Sequence, residues 1–184
     1  ASMREIALHI LDVARNSVEA GAQTLMVCVS QSRERDEMEV IIEDDGSGMD
    51  AERLAQATDA FFTTRTTRRW GLGLPLFQAT CERSGGKLEV TSTPGRGTRV
   101  RAVLQLSHLD RPPLGDMGSV MQALALEPGL ERVKYRQQTD GQVFELDTGD
   151  LTEEVGPGGL SDPAILTWLR EYVNEGVEST GAVQ

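Results

Sequence analysis

Three short blocks, which follow one another in a fixed order, constrain the fold of this 184-residue chain more than any other feature. The blocks are Asp12–Asn16, Asp44–Gly48, and the stretch that runs from Phe61–Arg65 into Gly71–Leu74. Each block alone is typical of ordinary turns and helix caps, where Asn, Asp and Gly are common. Together they supply an amide that can bind a metal ion, a carboxylate that can accept a hydrogen bond, and backbone flexible enough to approach phosphates. The combination predicts a nucleotide site.

The first block lies in a predicted amphipathic helix from Met3 to about Ala20, which ends at Gly21. Asp12 and Asn16 are four residues apart and are therefore neighbours on the helix surface. This arrangement suits a water-activating base beside a Mg²⁺ ligand, and a plain solvated face is the alternative interpretation. For His9, a surface position is favoured over a role as phosphoacceptor. The predicted polar face comprises Glu5, His9, Asp12, Asn16 and Glu19, and the apolar face Met3, Ile6, Ala7, Ile10, Val13, Ala14, Ser17 and Val18.

The second block follows a predicted hairpin of two strands, Thr24–Ser30 and Met38–Glu43. An Asp at the end of a strand, followed by two glycines, lets the backbone turn sharply and approach a flat ligand closely. The carboxylate of Asp44 could accept a hydrogen bond from the adenine amino group, which discriminates ATP from GTP. A plain Asp-Gly turn is the alternative. A calcium loop is disfavoured, because the roughly 12-residue ligand spacing and its closing Glu are missing.

The third block combines a polar loop with a glycine-rich helix start. Residues 63–70 contain four threonines and three arginines, side chains that suit a loop closing over a triphosphate. Gly71–Leu74 then opens a helix, where free N–H groups and the positive end of the helix dipole favour an anion. It is not a P-loop, because no Gly-Lys-Ser/Thr follows, and its spacing does not fit a dinucleotide fingerprint. With the first two blocks, these features predict an ATP site.

The order of the remaining elements predicts the fold class. A helix from Leu74 to about Ser84 precedes two strands, Lys87–Thr93 and Thr98–Leu106, so the first half reads α-β-β-α-loop-α-β-β. That order predicts an α+β two-layer sandwich, in which a mixed, largely antiparallel sheet carries helices on one face. A small C-terminal α/β appendage is expected to contain a helix at Gly115–Leu126, a hairpin at Arg132–Gln138 and Gln142–Asp147, and a last helix from Ser161 to about Glu175.

The predicted domain organisation has three parts: an ATP-binding domain at residues 1–106, a linker at 107–114 and an acidic appendage at 115–184. The whole chain has a net charge of −11, and residues 107–184 hold five Lys and Arg against fourteen Asp and Glu, a net charge of −9. Phosphate contacts need Lys and Arg, so nucleic acid is not expected as a partner. A solvated acidic surface is the favoured interpretation, and a basic protein partner is the alternative.

Hydropathy and cysteine content predict a cytoplasmic protein. No apolar run approaches the ~20 residues that span a bilayer, so no membrane insertion is expected. A signal peptide is not expected either, because charged residues such as Arg4 and Asp12 interrupt the apolar pattern near the N-terminus. Cys28 and Cys81 have no pairing or metal-ligand spacing, which predicts two buried free thiols.

The blocks and their order resemble the ATP-binding domain of the Bergerat-fold (GHKL) superfamily, which includes DNA gyrase, the large heat-shock chaperone, mismatch-repair ATPases and sensor histidine kinases. The resemblance covers about Met3 to Leu106 and points to a histidine-kinase-like ATP-binding domain. The motifs that carry it are the N box at Asp12–Ala22, the first glycine box at Asp44–Met49, the F box at Phe61–Arg65, the second glycine box at Gly71–Leu74 and the final turn at Gly95–Thr98.

The resemblance implies ATP and Mg²⁺ as ligands and assigns roles to single residues. Asn16 would bind Mg²⁺ between the phosphates. Asp44 would bind the adenine amino group, directly and through a water that Thr98 also holds. Arg65 lies where the family often has a lid Lys or Arg. The full set of ATP-binding residues that the resemblance implies is Asn16, Asp44, Gly46, Gly48, Met49, Thr64, Arg65, Gly71, Leu72, Gly73, Leu74 and Thr98.

The motifs identify the ligand more clearly than they identify the reaction. The F box and second glycine box resemble those of histidine kinases. An acidic residue four positions before Asn16 resembles the hydrolytic branch, in which Asp12 would be the catalytic base. That base is usually Glu, so the shorter Asp12 predicts slow hydrolysis. No helix hairpin with a phosphoacceptor histidine precedes the domain, so autophosphorylation of the sensor-kinase type is not expected.

The sequence therefore leaves three functions open. The favoured one is a stand-alone cytosolic kinase that uses Mg·ATP to phosphorylate a separate protein in signalling or regulation. The second is a slow ATPase switch in which Asp12 activates water. The third is a non-catalytic ATP-sensing module, docked through the acidic C-terminal part. All three imply a protein partner or protein substrate, and a homodimer is left open as the oligomeric state.

Overall fold

A computed structural model describes residues 4–58 and 73–184 of the chain. Its helices are α1 (Ile6–Glu19), α2 (Ala51–Thr58), α3 (Gly73–Arg83), α4 (Met117–Ala125), α5 (Thr148–Val155) and α6 (Pro163–Ser179). Its strands are β1 (Thr24–Ser32), β2 (Glu37–Asp44), β3 (Lys87–Thr93), β4 (Gly97–Gln105), β5 (Arg132–Thr139) and β6 (Gln142–Asp147). A short 3-10 helix at Gly159–Ser161 precedes α6.

The strands form one sheet in the order β3-β4-β2-β1-β5-β6. All neighbouring pairs are antiparallel except β1 and β5, which run parallel. The predicted mixed, largely antiparallel sheet is therefore confirmed. Because β2 lies between β1 and β4, the end of β2 at Asp44 faces Leu25 on one side and Thr98 on the other.

One face of the sheet is buried beneath helices. In β1 the side chains of Leu25, Val27 and Val29 are buried, and the residues between them are half-exposed, as the two-residue period of a strand requires. Helices α1, α3, α4 and α6 pack side by side or against the strands on this face, which gives the predicted two-layer sandwich. Across the opposite face, Arg101 contacts Glu39 at 2.7 Å and Glu89 at 3.5 Å.

The C-terminal hairpin continues the same sheet. Its strands β5 and β6 turn at Asp140-Gly141, whose φ angles of 50° and 103° suit a type I′ hairpin turn. The side chain of Gln31, in β1, bonds both the N–H and the C=O of Val183, at 2.7 and 2.8 Å. Residues 115–184, the acidic segment, thus share a sheet with the first half of the chain. The predicted linker at 107–114 that would separate the two stays a prediction.

Several details differ from expectation. Helix α5 was not predicted, because its sequence is polar; it begins where the side chain of Asp147 accepts a hydrogen bond from the N–H of Gly149 at 2.8 Å. Helix α4 begins at Met117 rather than Gly115, since Asp116 is its cap. Cys81 is buried as expected, whereas Cys28 is only half-buried; both thiols are free. Among the residues described, no helix is long and apolar enough to cross a membrane.

Candidate functional site

A cavity opens between α1, the ends of β2 and β4, and the start of α3. Its walls are mostly apolar, and its few polar side chains come from Asn16, Ser17, Asp44 and Thr98. Such a combination is typical of small-molecule sites, where apolar walls bury the ligand and a few polar groups orient it. The complete lining is Val13, Asn16, Ser17, Ala20, Ile42, Asp44, Gly48, Met49, Ala57, Leu74, Thr98 and Val100.

The carboxylate of Asp44 is the most highly coordinated group in the cavity. Its Oδ1 accepts hydrogen bonds from the N–H groups of Gly46 at 2.9 Å and Thr98 at 3.3 Å. Its Oδ2 accepts one from the hydroxyl of Ser17 at 2.6 Å. Because each carboxylate oxygen can accept about two hydrogen bonds, Oδ1 is saturated and Oδ2 keeps one acceptor position. Asp44 is thus held in a fixed orientation and can still accept from a ligand.

Glycines bring the backbone close to Asp44. A Cβ added to Gly46 would lie 2.9 Å from the carbonyl oxygen of Ala20, so α1 and the first glycine box touch backbone to backbone. Gly48 has a φ of +68°, and a Cβ there would overlap the carbonyl of Thr93. Gly46 leaves no space for a larger residue, and Gly48 leaves neither the space nor the backbone conformation for one.

A serine behind the cavity lining, which was not among the predicted site residues, connects two residues of the lining, Met49 and Thr98. The hydroxyl of Ser92 accepts from the N–H of Met49 at 2.7 Å, donates to the carbonyl of Gly97 at 3.0 Å, and contacts the hydroxyl of Thr98 at 2.8 Å. Since Ser92 uses its proton on Gly97, the Thr98 hydroxyl is the donor in the last contact. The Thr98 oxygen therefore keeps its lone pairs, which suit a bound water.

The end of the cavity at α3 combines the N box with the start of that helix. A Cβ on Gly73 would lie 3.4 Å from the Cβ of Asp12 and 3.5 Å from the amide nitrogen of Asn16. The predicted amide ligand, the predicted base and the helix N-terminus therefore meet at one point. Asp12 also forms an ion pair with Arg4, which the sequence analysis did not foresee.

His9 is buried, contrary to the surface position predicted for it. Only 2% of its surface is exposed, because α3 covers that side of α1. Its ring stacks on Phe77 with centroids 5.0 Å apart, and its Nε2 lies 2.9 Å from the hydroxyl of Thr80. Burial, together with the charges of Arg4 and Arg83, lowers the pKa of His9 to about 4. This neutral, enclosed ring is not accessible as a phosphoacceptor.

The structure brings together most of the predicted residues that it describes. Asn16, Asp44, Gly48, Met49, Leu74 and Thr98 line the cavity, and Gly46 and Gly73 adjoin it. Thr64, Arg65, Gly71 and Leu72 lie outside the described residues. Ser17 and Ser92 were missed as site residues. A serine on the apolar face of α1 was the available signal for Ser17, because a buried hydroxyl needs a partner.

Several known proteins similar to this chain are kinases by name. The chain is 28% identical over 96 residues to sporulation kinase C of Bacillus subtilis, 35% over 97 residues to sensor protein kinase FleS of Pseudomonas aeruginosa, and 27% over 106 residues to sensor histidine kinase ZraS of Escherichia coli O157:H7. These alignments cover 52%, 53% and 58% of this chain but only 22%, 24% and 23% of the respective relatives.

The family match falls on the part of the chain that builds the cavity. Residues 2–108 match the family described as "Histidine kinase-, DNA gyrase B-, and HSP90-like ATPase". That range contains α1, the strands β1 to β4 and every residue that lines the cavity. The chain therefore belongs to the histidine kinase-, DNA gyrase B- and HSP90-like ATPase family.

Proposed function

We propose that this chain binds Mg·ATP in the cavity around Asp44 and transfers the γ-phosphoryl group to a separate protein in signalling or regulation. The observation that carries the ligand assignment is the hydrogen bonding of Asp44, which leaves one acceptor position on Oδ2 inside the cavity. Family membership implies ATP binding, and the three relatives described above are kinases by name, which supports phosphoryl transfer.

The free acceptor position on Asp44 favours adenine over guanine. Adenine carries an amino group at the ring position where guanine carries a carbonyl oxygen. The carboxylate can accept a hydrogen bond from that amino group but not from that oxygen. Two facing acceptors would leave both groups without a hydrogen-bond donor, which costs about 1–3 kcal/mol per buried group. The apolar wall formed by Ile42, Met49 and Val100 suits the flat faces of the base.

The position of Gly73 beside Asn16 supports binding of the phosphates and Mg²⁺ at the end of the cavity where α3 begins. Among residues 4–58 and 73–184, no three His, Cys, Asp or Glu side chains cluster closely enough to hold a metal ion. A Mg²⁺ ion bound by the amide oxygen of Asn16 would take most of its other ligands from phosphates and water, which Mg²⁺ prefers. The N-terminus of α3, at Gly73, would add the positive end of a helix dipole.

The ion pair between Arg4 and Asp12 supports transfer to a protein over hydrolysis. A general base needs a free lone pair directed at its water, and a guanidinium on the carboxylate competes for that position. Slow hydrolysis is the second candidate function, because Asp12 adjoins both Asn16 and Gly73. In that case Arg4 would restrain the reaction.

Incubation of the purified chain with γ-labelled ATP and Mg²⁺, alone and with cell extract, separates these functions. The proposed function predicts label on another protein and little free phosphate. Free phosphate that disappears in Asp12→Asn and increases in Arg4→Ala would instead establish the ATPase. Nucleotide binding without either product would leave an ATP-sensing module and contradict the proposed transfer.

A further inference from the structure

Two aromatic side chains of α6 are exposed beside the edge of the sheet. Trp168 and Tyr172 stack on each other with ring centroids 4.9 Å apart, and their exposed fractions are 45% and 40%. Tyr172 also meets the ring of Phe144, in β6, edge-on at 5.4 Å. The aromatic side chains thus continue from the covered face of β6 out to the solvent.

The neighbouring strand β6 is the last strand of the sheet. Its register with β5 starts at the turn-closing pair Thr139 and Gln142. In a two-residue hairpin that pair exchanges hydrogen bonds, and the residues of the strand then alternate. The N–H and C=O groups of Val143 and Glu145 consequently point away from β5. These groups bond no other strand of the sheet among the residues described. Val143 is also 45% exposed, so this edge offers backbone groups next to accessible apolar surface, as strand-adding partners require.

The charge on the helix side of this edge is negative. Glu171, Glu175 and Glu178 are exposed on α6 and, at helical spacing, lie on the side of Trp168 that faces away from the buried helix surface. None of the three forms an ion pair with any part of the chain that the structure describes. On the sheet, Arg136 and Arg132 are already paired with Glu145 and Asp147, at 3.4 and 3.2 Å.

We propose that the edge formed by Val143, Phe144, Glu145, Trp168 and Tyr172 binds an extended, basic segment of a partner protein. The segment adds a strand to β6, and every second side chain then points to the side of the sheet that α6 covers. On that side its apolar residues pack against the aromatic rings, and its Lys or Arg residues face the glutamates of α6. A second copy of this chain is a poor occupant, because residues 107–184 carry a net charge of −9 and like charges repel. The binding surface is separate from the nucleotide cavity and does not depend on the reaction there.

A fluorescence titration tests this proposal in the full chain. The two tryptophans are Trp70 and Trp168, so the Trp70→Phe variant reports on Trp168 alone. The probe is a synthetic peptide of about eight residues in which every second position is valine and lysine in turn and the positions between them are threonine, so that valine and lysine share one face of the strand. An otherwise identical peptide with glutamate in place of lysine is the control. We expect the basic peptide to shift the Trp168 emission to shorter wavelength with saturation, and the acidic peptide to have no effect.

Two variants test the contacts. Val143→Pro removes an N–H that points to the open edge and not to β5, and it should weaken binding of the basic peptide at least about tenfold. Glu171→Lys/Glu175→Lys should weaken it at least about fivefold and remove most of its salt dependence. Glu34→Lys/Glu131→Lys, which makes the same charge change at exposed positions elsewhere, should alter the affinity by less than about twofold. Unchanged circular dichroism and thermal midpoints establish that each variant is folded.

Three results would overturn the proposal. The first is no binding of the basic peptide, or equal binding of both peptides. The second is wild-type affinity in folded Val143→Pro. The third is a homodimer in sedimentation that Val143→Pro dissociates, since a second copy would then occupy this edge.

Discussion

At the scale of single residues, Gly48 is a position where the wall of the cavity requires close contact between two backbone segments. Its φ is +68°, and a Cβ would overlap the carbonyl of Thr93. Gly95 has a similar φ of +76° but open space around it. We predict that Gly48→Ala lowers the free energy of unfolding by at least about 3 kcal/mol, because strain and overlap combine, and that Gly95→Ala costs about 1 kcal/mol from strain alone. Urea denaturation checks both, and equal losses would contradict the close contact.

His9 predicts a pH dependence of stability. Burial lowers its pKa from 6.5 to about 4 in the folded chain, so the unfolded chain binds a proton at a higher pH than the folded chain does. Stability should therefore fall as the pH drops from about 6.5 to about 4, by up to about 3 kcal/mol. His9→Gln keeps a polar side chain that does not titrate. If the free energies of unfolding of the wild type and this variant change equally with pH in that range, His9 is not a buried neutral histidine.

His9 and Ser17 also show where residue-level prediction from the sequence succeeds and fails. The helical pattern of α1 correctly placed Ser17 on the face toward the sheet, and the structure adds its partner, Asp44. The same pattern placed His9 on a solvated face, because the pattern of one helix contains no information about a second helix packed beside it. Contacts such as His9 with Phe77 join residues far apart in sequence, and a local period does not predict them.

At the scale of elements, Asp116 fixes α4 to α6. Its carboxylate accepts from the N–H and hydroxyl of Ser119, and from Arg170 and Asn174 in α6. We predict that Asp116→Ala lowers the free energy of unfolding by about 2–3 kcal/mol, since it removes a cap and an interhelical network. The control Asp162→Ala removes the cap of α6, which accepts from the N–H of Ala164, and should cost about 1 kcal/mol.

The same carboxylate should contribute to acid sensitivity. Burial raises the pKa of Asp116, but the hydrogen bonds from Asn174, Ser119 and Arg170 outweigh this effect and hold the pKa well below its ordinary value of 3.8. Because the folded pKa is lowered, the stabilisation is complete at neutral pH and declines as the pH falls below about 4. Equal denaturation midpoints for Asp116→Ala and Asp162→Ala at pH 7 would contradict the interhelical role.

The elements themselves were largely predictable, whereas their pairing was not. The strands β3 and β6 have the predicted bounds, because alternation and turn residues are local signals. The parallel pairing of β1 with β5 joins segments that are more than a hundred residues apart. No local pattern distinguishes a hairpin that stands alone from one that extends a sheet.

At the scale of the whole molecule, this pairing predicts one cooperative unfolding unit. Since β5 pairs with β1 along its length, the acidic segment should not unfold before the cavity does. In the Trp70→Phe variant, the emission of Trp168 reports on the acidic segment and far-ultraviolet circular dichroism on the entire chain. The two denaturation curves should coincide, and Mg·ATP should shift both equally. Two separate transitions would show that the segment folds independently.

The assignment of the nucleotide cavity is tested most directly by calorimetric titration of Mg·ATP and Mg·GTP into wild type, Asp44→Asn and Asp45→Asn. In Asp44→Asn the amide oxygen must face the N–H groups of Gly46 and Thr98, so the amide nitrogen takes the position of Oδ2 and presents a donor to the adenine amino group. In Asp45→Asn the amide oxygen can still accept from the N–H groups of Gln23 and Thr24, with the same change of charge.

The cavity assignment predicts that wild type prefers ATP to GTP and that Asp44→Asn weakens ATP binding at least about tenfold, which is about 1.4 kcal/mol. The preference over GTP should also shrink, because the new donor can pair with the guanine oxygen. Asp45→Asn should bind ATP within about threefold of wild type. If Asp44→Asn binds Mg·ATP as tightly as wild type does, adenine is not recognised by Asp44 and the assignment of the cavity is wrong.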